Sequence, residues 1–259
     1  MIENLENNRF EPANESGNDS SESIDTVPPT ANEFFKSPGF YKNAQRYWSQ
    51  ISPTIDGMLG GLSMIDTTDV QGSSRFLKDL FKMKPPPNPH RALDCGAGIG
   101  RVTKNLLINY FKCVDLVEQD ENFVRKANDY LSVNGQLNEK IGTIYNVGLQ
   151  DFTPTENTYD IIWCQWVLGH LTDDDLCAYF KRCTSGLTKD GCIVIKENFT
   201  STDDFCIDAV DSSVTRSLRI FKRILESSNL RIVRICKQEN FIQGLFPVYT
   251  IACKPIQRC

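Results

Sequence analysis

The sequence predicts an α/β protein: a doubly wound, mostly parallel sheet with a C-terminal antiparallel hairpin and an N-terminal helical extension. Three observations carry this. From Arg91 onward, short apolar runs of strand length alternate with stretches of helical period, the pattern of repeated βαβ units. The first of these runs leads straight into a glycine-rich turn, Cys95-Gly96-Ala97-Gly98-Ile99-Gly100. Such a turn lets backbone approach a ligand beneath a helix N-terminus. The last two strand-like runs, at 230–237 and 247–254, have no helix between them and read as a hairpin.

Taken in order, residues 1–36 carry eight acids against two bases (Arg9 and Lys36), a Pro28-Pro29 pair and no sustained apolar period. Such a segment buries too little to offset its ordering entropy, so it reads as a disordered acidic tail. Residues 37–259 form one domain, long enough to bury a proper core. FYKNAQRYW (40–48) reads as a short amphipathic helix, followed by a loop with Pro53, Gly57 and Gly60-Gly61 and a helix near 73–81. Pro85-Pro86-Pro87, Asn88 and Pro89 then break the chain. RALDC (91–95) is the first strand, and a helix runs through Val102, Leu106 and Tyr110. CVDLVE (113–118) is a buried strand, and Asp120 caps the helix that follows it. GTIYNV (142–147), YDIIWC (159–164) and GCIVIKEN (191–198) are three more strands. Helices over 173–187, after Thr172, and over 214–228 precede the last of them and the hairpin.

Charge and composition exclude several classes. The net charge of -5 sits in the tail; the remaining 223 residues hold 25 acids and 26 bases. A near-neutral body argues against a nucleic-acid-binding surface. The longest apolar run, 161–171, is interrupted by Gln165 and His170 and is too short to span a bilayer. MIENLENNRF offers neither the basic nor the apolar region of a secretory signal. The ten cysteines include no C-x-x-C pair, and His90 and His170 are the only histidines. The expectation is therefore reduced thiols in cytosol or nucleus and no metal site.

The glycine loop selects among ligands. Arg101 stands where a dinucleotide fingerprint needs glycine, and no G-K-[ST] follows. The pattern D-x-G-x-G-x-G at 94–100 instead resembles Rossmann-like methyltransferases that use S-adenosylmethionine, in which the loop packs against the methionine portion. Glu118, 18 residues after Gly100, ends the next strand. Parallel topology brings it beside the loop, where a carboxylate can accept bonds from both ribose hydroxyls. Leu149-Gln150, just beyond the third strand, lies where an adenine edge would sit. A lone turn of this kind is also an ordinary tight βα corner; Glu118 is what argues for a ligand.

Several further blocks occur together: WSQISPTIDGMLGG (48–61), LDCGAGIGR (93–101), GLQDF (148–152), IIWCQWVLGHLTD (161–173), IVIKEN (193–198) and DAVDSSVTR (208–216). In this combination, from about residue 38 onward, the chain resembles the protein α-N-terminal methyltransferases. These methylate the free α-amine of proteins beginning X-Pro-Lys or X-Pro-Arg once Met is removed. The resemblance implies that Gly96, Gly98, Arg101, Glu118, Leu149, Gln150 and Gln165 contact S-adenosylmethionine, which leaves as S-adenosylhomocysteine. Glu118 replaces the family's more usual Asp. Trp48, Leu59, Ile65, Trp166, Asn198, Asp208 and Ser213 fall at peptide-site positions, and His170 and Asp211 at catalytic ones. Phe246 departs from a tyrosine often found there. The resemblance also implies protein N-terminal tails as partners, a monomer, and a nuclear and cytoplasmic location.

The residue chemistry fits independently. Trp166 and Leu59 would wall in a proline ring, and Asp208 and Asp211 would receive the Lys or Arg cation. Asn198, at a strand's carboxyl end, would bond a peptide carbonyl. An α-amine with pKa about 8 must lose a proton before it attacks, and either His170 or Asp211 could take it. Two rival readings stand beside this one: a methyltransferase acting on a small molecule or nucleic acid, and a catalytically silent peptide-binding relative.

Overall fold

In the computed structural model, which describes residues 30–256, the five alternating strands form a parallel core. They are β1 (Arg91–Cys95), β2 (Cys113–Glu118), β3 (Ile141–Asn146), β4 (Tyr159–Gln165) and β5 (Leu187–Asn198). β6 (Leu230–Lys237) and β7 (Val248–Pro255) pair antiparallel with each other, and β7 also pairs antiparallel with β5. The sheet order is β6-β7-β5-β4-β1-β2-β3. The chain thus starts in the middle, winds outward through β2 and β3, and returns to lay β4 on the other side of β1. Ligands of open α/β sheets bind at such a reversal, outside the carboxyl ends of the strands.

Six principal helices cover the two faces: α1 (Phe40–Ser49), α2 (Asp66–Leu80), α3 (Arg101–Asn105), α4 (Glu121–Tyr130), α5 (Asp173–Gly186) and α6 (Leu218–Ser227). Their starts are written in the sequence. Asp120 accepts from the backbone N–H groups of Asn122 and Phe123, Thr172 from Asp175, and Ser217 from Ile220, satisfying donors a helix start leaves open. Alternate residues of β4 feed two cores. Ile162 and Cys164 pack with Tyr179, Phe180 and Phe221, whereas Ile161 and Trp163 pack with Phe76, Leu77 and Val114. Trp163 is therefore a core residue, and Cys95, Cys164, Cys183, Cys192 and Cys253 act as small buried hydrophobes.

The structure departs from the expected elements in five places. Ala31–Phe35, within the segment expected to be disordered, forms a short helix whose Phe34 and Phe35 rings meet Phe40 edge to face; residues 1–29 lie outside the described residues. α2 begins at Asp66 rather than near Ser73, because ion pairs made by Asp66 and Asp69 bind its polar first turns to the body. The helix after the glycine loop stops at Asn105. Leu106 leaves helical backbone (φ −127°, ψ −67°), and both Leu106 and Leu107 are buried. Ser213–Thr215, expected to begin a helix, instead pairs with Cys206–Asp208 in a hairpin that buries Val214, and α6 starts only after Ser217. A two-stranded hairpin at 132–137 turns on Asn134-Gly135, both at positive φ, a turn signal the sequence already displayed. Among the described residues, no helix is long and apolar enough to cross a membrane.

The carboxyl end of the sheet rests on one buried ionic cluster. Asp69 of α2 receives Lys196 Nζ of β5 at 2.6 Å and Arg101 Nη1 of α3 at 2.9 Å. It also accepts from Gln165 Nε2 of β4 at 3.0 and 2.9 Å. Lys196 donates further to the Asp69 carbonyl, Ser73 Oγ and Gln238 Oε1, and Arg101 also pairs with Asp66 at 2.7 Å. Asp69 and Lys196 are 1% and 0% exposed. Burial pushes the Asp69 pKa up, but the charges of Lys196 and Arg101 outweigh it and hold the carboxylate below its usual range. Asp69→Ala leaves the buried Lys196 without a counterion and Arg101 with Asp66 alone. The expected cost is about 3–5 kcal/mol in urea unfolding at pH 7, and a loss under about 1 kcal/mol would mean that the cluster is solvated.

Candidate active site

The glycine loop has the backbone that its sequence requires. Gly96, Gly98 and Gly100 all adopt positive φ, at 67°, 56° and 81°, a region costly for residues with a side chain. Space matters as well: a Cβ on Gly96 would lie 2.4 Å from a Val167 methyl. The loop is held by β2, whose Val117 carbonyl accepts from the Gly96 and Ala97 N–H groups at 2.9 and 3.0 Å. Asp94 is buried beneath it and accepts from Thr103 N and Oγ1 at 3.0 and 2.6 Å. It thereby anchors α3, and burial raises its pKa to about 6.

Glu118 does two jobs. Its Oε2 accepts from Gly98 N and its Oε1 from Asp120 N, each at 2.8 Å, so it fixes the glycine loop to the end of β2. Each carboxylate oxygen keeps further acceptor capacity for a ligand. Burial pushes the Glu118 pKa up, opposed by these N–H donors.

Loop and carboxylate form one wall of an open cavity, about 950 Å³ when the solvent at its mouth is counted. Apolar side chains of Val117, Phe123, Val147 and Leu149 line the end beside Glu118. Arg182 of α5 holds the 148–152 segment there, donating to the carbonyls of Phe152, Leu149 and Gln150 at 2.8, 2.9 and 3.0 Å. On the open side α1 presents Tyr41, Ala44 and Trp48, one face of a helix. Tyr41 is anchored by hydrogen bonds with Asp175 and Thr172 N. The apolar slot and a carboxylate able to take two hydroxyls suit a nucleoside cofactor.

The far wall is the segment leaving β4. Trp166 sits at φ 53°, a strained conformation for a bulky residue. Its N–H is held by the Lys196 carbonyl at 3.1 Å, and Glu197 Oε1 accepts from the next two N–H groups, Val167 and Leu168, at 2.9 Å each. Arg216 completes the clamp, donating to the Leu168 and Leu171 carbonyls and pairing with Asp173. The Arg101 guanidinium lies 5.6 Å from the Trp166 ring centroid. The indole Nε1 of Trp166 is buried without a hydrogen-bond partner, and so is Oδ1 of Asp211. Such groups are costly unless something meets them.

His170 closes this wall. Its Nε2 accepts from Trp48 Nε1 at 3.0 Å, and its Nδ1 faces the Ser212 carbonyl at 3.3 Å. Burial lowers its pKa, partly offset by Asp211 and Asp208. Burial raises the Asp211 pKa, offset by His170 and Ser213.

The structure sorts the expected site residues by place. Gly96, Gly98, Glu118, Leu149, Gln150, Trp48, Trp166 and His170 line the cavity. Arg101 and Gln165 also line it, but they are committed to the Asp69 cluster. Gln165 gives its amide N–H to Asp69 and accepts from Trp163 Nε1 at 3.1 Å, so its role is to support the floor. Asp208, Asp211 and Ser213 stand on the adjacent 206–215 hairpin, where Asp208 Oδ1 accepts from Val210 N at 2.8 Å. Asn198 ends β5, half-buried, outside the cavity lining. Leu59 and Ile65 correct the expectation: they are 0% and 3% exposed, packed inside rather than open to a proline ring. Asp69, Lys196, Glu197, Arg182 and Arg216 gave no sequence signal, since each acts through a partner far away in the chain. The Tyr41, Ala44, Trp48 spacing was a signal, at helical period.

A family model described as AdoMet-dependent proline di-methyltransferase matches residues 36–254. The chain is 52% identical over 219 residues to alpha N-terminal protein methyltransferase 1 of Drosophila melanogaster, covering 85% of this chain and 78% of that one. It is 43% identical over 216 residues to N-terminal Xaa-Pro-Lys N-methyltransferase 1 of Rattus norvegicus, covering 83% and 95%. Among solved structures, a SAM-dependent methyltransferase of Leishmania major superposes with a TM-score of 0.80 at 36% identity, covering 86% and 91%.

Two outcomes follow from the geometry. Glu118→Ala removes charge-assisted hydrogen bonds and should weaken S-adenosylmethionine binding by about 1.5–3 kcal/mol in calorimetry; unchanged affinity would remove it from the ribose. Burial also raises the Glu197 pKa from 4.5 to about 7, against the pull of the Leu168 and Val167 N–H groups. A carboxyl whose pKa rises on folding stabilises the fold below pH about 4.5, and that contribution is lost as pH climbs to about 7. Glu197→Gln accepts the same N–H groups without ionising. Its stability relative to wild type should therefore improve by about 1–3 kcal/mol between pH 4.5 and pH 8; parallel melting curves across that range would contradict the burial argument.

Proposed function

The chain belongs to the family of AdoMet-dependent proline di-methyltransferases, and from that premise we propose that it methylates the free α-amine of proteins beginning X-Pro-Lys or X-Pro-Arg after Met removal. It is an S-adenosylmethionine-dependent methyltransferase. When bound, S-adenosylmethionine supplies a sulfonium methyl that is already electrophilic, so the protein has mainly to position and deprotonate the amine.

The observation that carries the reading is the pair of orphaned polar atoms, Trp166 Nε1 and Asp211 Oδ1. A donor on the cavity wall and an acceptor on the hairpin beside His170, both left without partners, suit a peptide N-terminus, which brings a carbonyl and an ammonium. Asp211 Oδ1 is the acceptor left without a partner for the ammonium, because His170 Nε2 is already occupied by Trp48. Asp211 would take the proton of the ammonium, leaving a neutral nitrogen able to receive the methyl that bound S-adenosylmethionine would supply. Asp208, on the same hairpin, is the candidate for a cation further along the peptide. The Trp166 ring face offers an apolar surface for the proline. Asn198 and Ser213 are the candidates for hydrogen bonds to the peptide backbone. The reading extends to a monomer acting in nucleus and cytoplasm, as the family resemblance implies.

Mass spectrometry on hexapeptides tests this. X-Pro-Lys peptides should gain methyl groups, whereas X-Ala-Lys should react far more slowly and acetylated X-Pro-Lys not at all. Equal turnover of all three would overturn the proposal. Asp211→Asn should lower kcat by about 10²–10⁴-fold at pH 7. Part of the loss should return toward pH 9.5, where solution supplies neutral amine. A fully active, flat pH–rate profile would remove Asp211 from proton transfer.

A further inference from the structure

An indole nitrogen donates and never accepts, so the 3.0 Å bond between Trp48 Nε1 and His170 Nε2 fixes that ring nitrogen as the acceptor. The neutral imidazole then carries its proton on Nδ1, where the Ser212 carbonyl accepts it at 3.3 Å. The rings of Trp48 and His170 meet edge to face, 5.8 Å apart with planes at 89°. Nε2 is the only lone pair through which this ring could gain a proton, and Trp48 covers it. Donor and acceptor are tied together: Ser212, buried and at φ 57°, gives its hydroxyl to the carbonyl of Phe40, on the same helix as Trp48. The charges facing His170 are Asp211 and Asp208 of the hairpin.

We propose that Trp48 is a positioning residue for methyl transfer: its indole N–H locks His170 neutral in the Nδ1–H tautomer, which directs the proton of the incoming amine to Asp211. This rests on reading the cavity as an α-amine methylation site. The physical gain is in charge. Moving the proton from an ammonium to imidazole would leave a cation beside the bound sulfonium. Moving it to a carboxylate leaves both partners neutral. The lock also keeps a second cation away from the ammonium product when a further methyl is added.

The test is the imidazole tautomer, read by long-range ¹H–¹⁵N NMR on the full chain without peptide or cofactor. With two histidines in the sequence, a His90→Gln variant assigns the remaining signal to His170. Wild type should show Nδ1 protonated and Nε2 bare. Trp48→Phe, which keeps an aromatic ring and removes the donor, should shift the ring toward the Nε2–H form. It should also raise the His170 pKa by about one unit. In turnover of an X-Pro-Lys peptide, the acid limb of kcat/KM should move up by a similar amount. Nε2–H in wild type, or an unmoved tautomer and titration in Trp48→Phe, would overturn the proposal. The wild-type measurement decides by itself if the variant does not fold. Because the tautomer is read without substrate, its failure leaves the methylation reading standing, and an inactive enzyme on X-Pro-Lys leaves the tautomer result standing.

Discussion

One buried carboxylate organises the working end of this protein. Asp69 gathers Lys196 from β5, Arg101 from α3 and Gln165 from β4 around a helix that otherwise lies outside the sheet. Burying such charges is expensive, and an apolar cluster of the same shape could be as stable. What the ions add is direction: a charge-assisted hydrogen bond fixes distance and angle where an apolar contact tolerates sliding. The glycine loop enters α3 one residue before Arg101, and the strained Trp166 follows Gln165 directly. The cofactor wall and the substrate wall are thus set from a common point beneath the cavity.

Above that floor, two carboxylates sit in different settings. Glu118 is committed to backbone N–H groups and holds a loop rigid for the nucleoside. Asp211 keeps one oxygen unpartnered in a partly buried setting that raises its pKa, which suits the proton acceptor proposed above. A third, Glu197, works through the backbone: it caps the turn that leads to His170. The arrangement divides labour by environment rather than by residue type.

Much of this was legible in the chain. Periodicity exposed the parallel strands, Asp120 and Thr172 announced their helices, and the spacing from Gly100 to Glu118 located the loop's partner. Those signals are local, or depend only on parallel topology. The missed features depend on contacts distant in sequence. Nothing near Lys196 shows that it meets Asp69, so the polar first turns of α2 looked like loop. The hairpin over 206–215 defeats local propensity because burial of Val214 against the 168–170 turn decides it. Leu59 was misplaced for the converse reason. An apolar residue in a family block reads equally well as binding wall or core, and only packing tells them apart. The Asn134-Gly135 turn, by contrast, was plainly readable and overlooked.

The account stands or falls on where the peptide amine sits. A crystal structure of the protein with S-adenosylhomocysteine and an X-Pro-Lys hexapeptide measures that directly. The expected result has the ribose hydroxyls on Glu118, the amine nitrogen about 3 Å from Asp211 Oδ1, and His170 Nε2 still accepting from Trp48. An amine bonded to His170 with Trp48 swung away, or a peptide seated elsewhere than between Trp166 and the 206–215 hairpin, would contradict it.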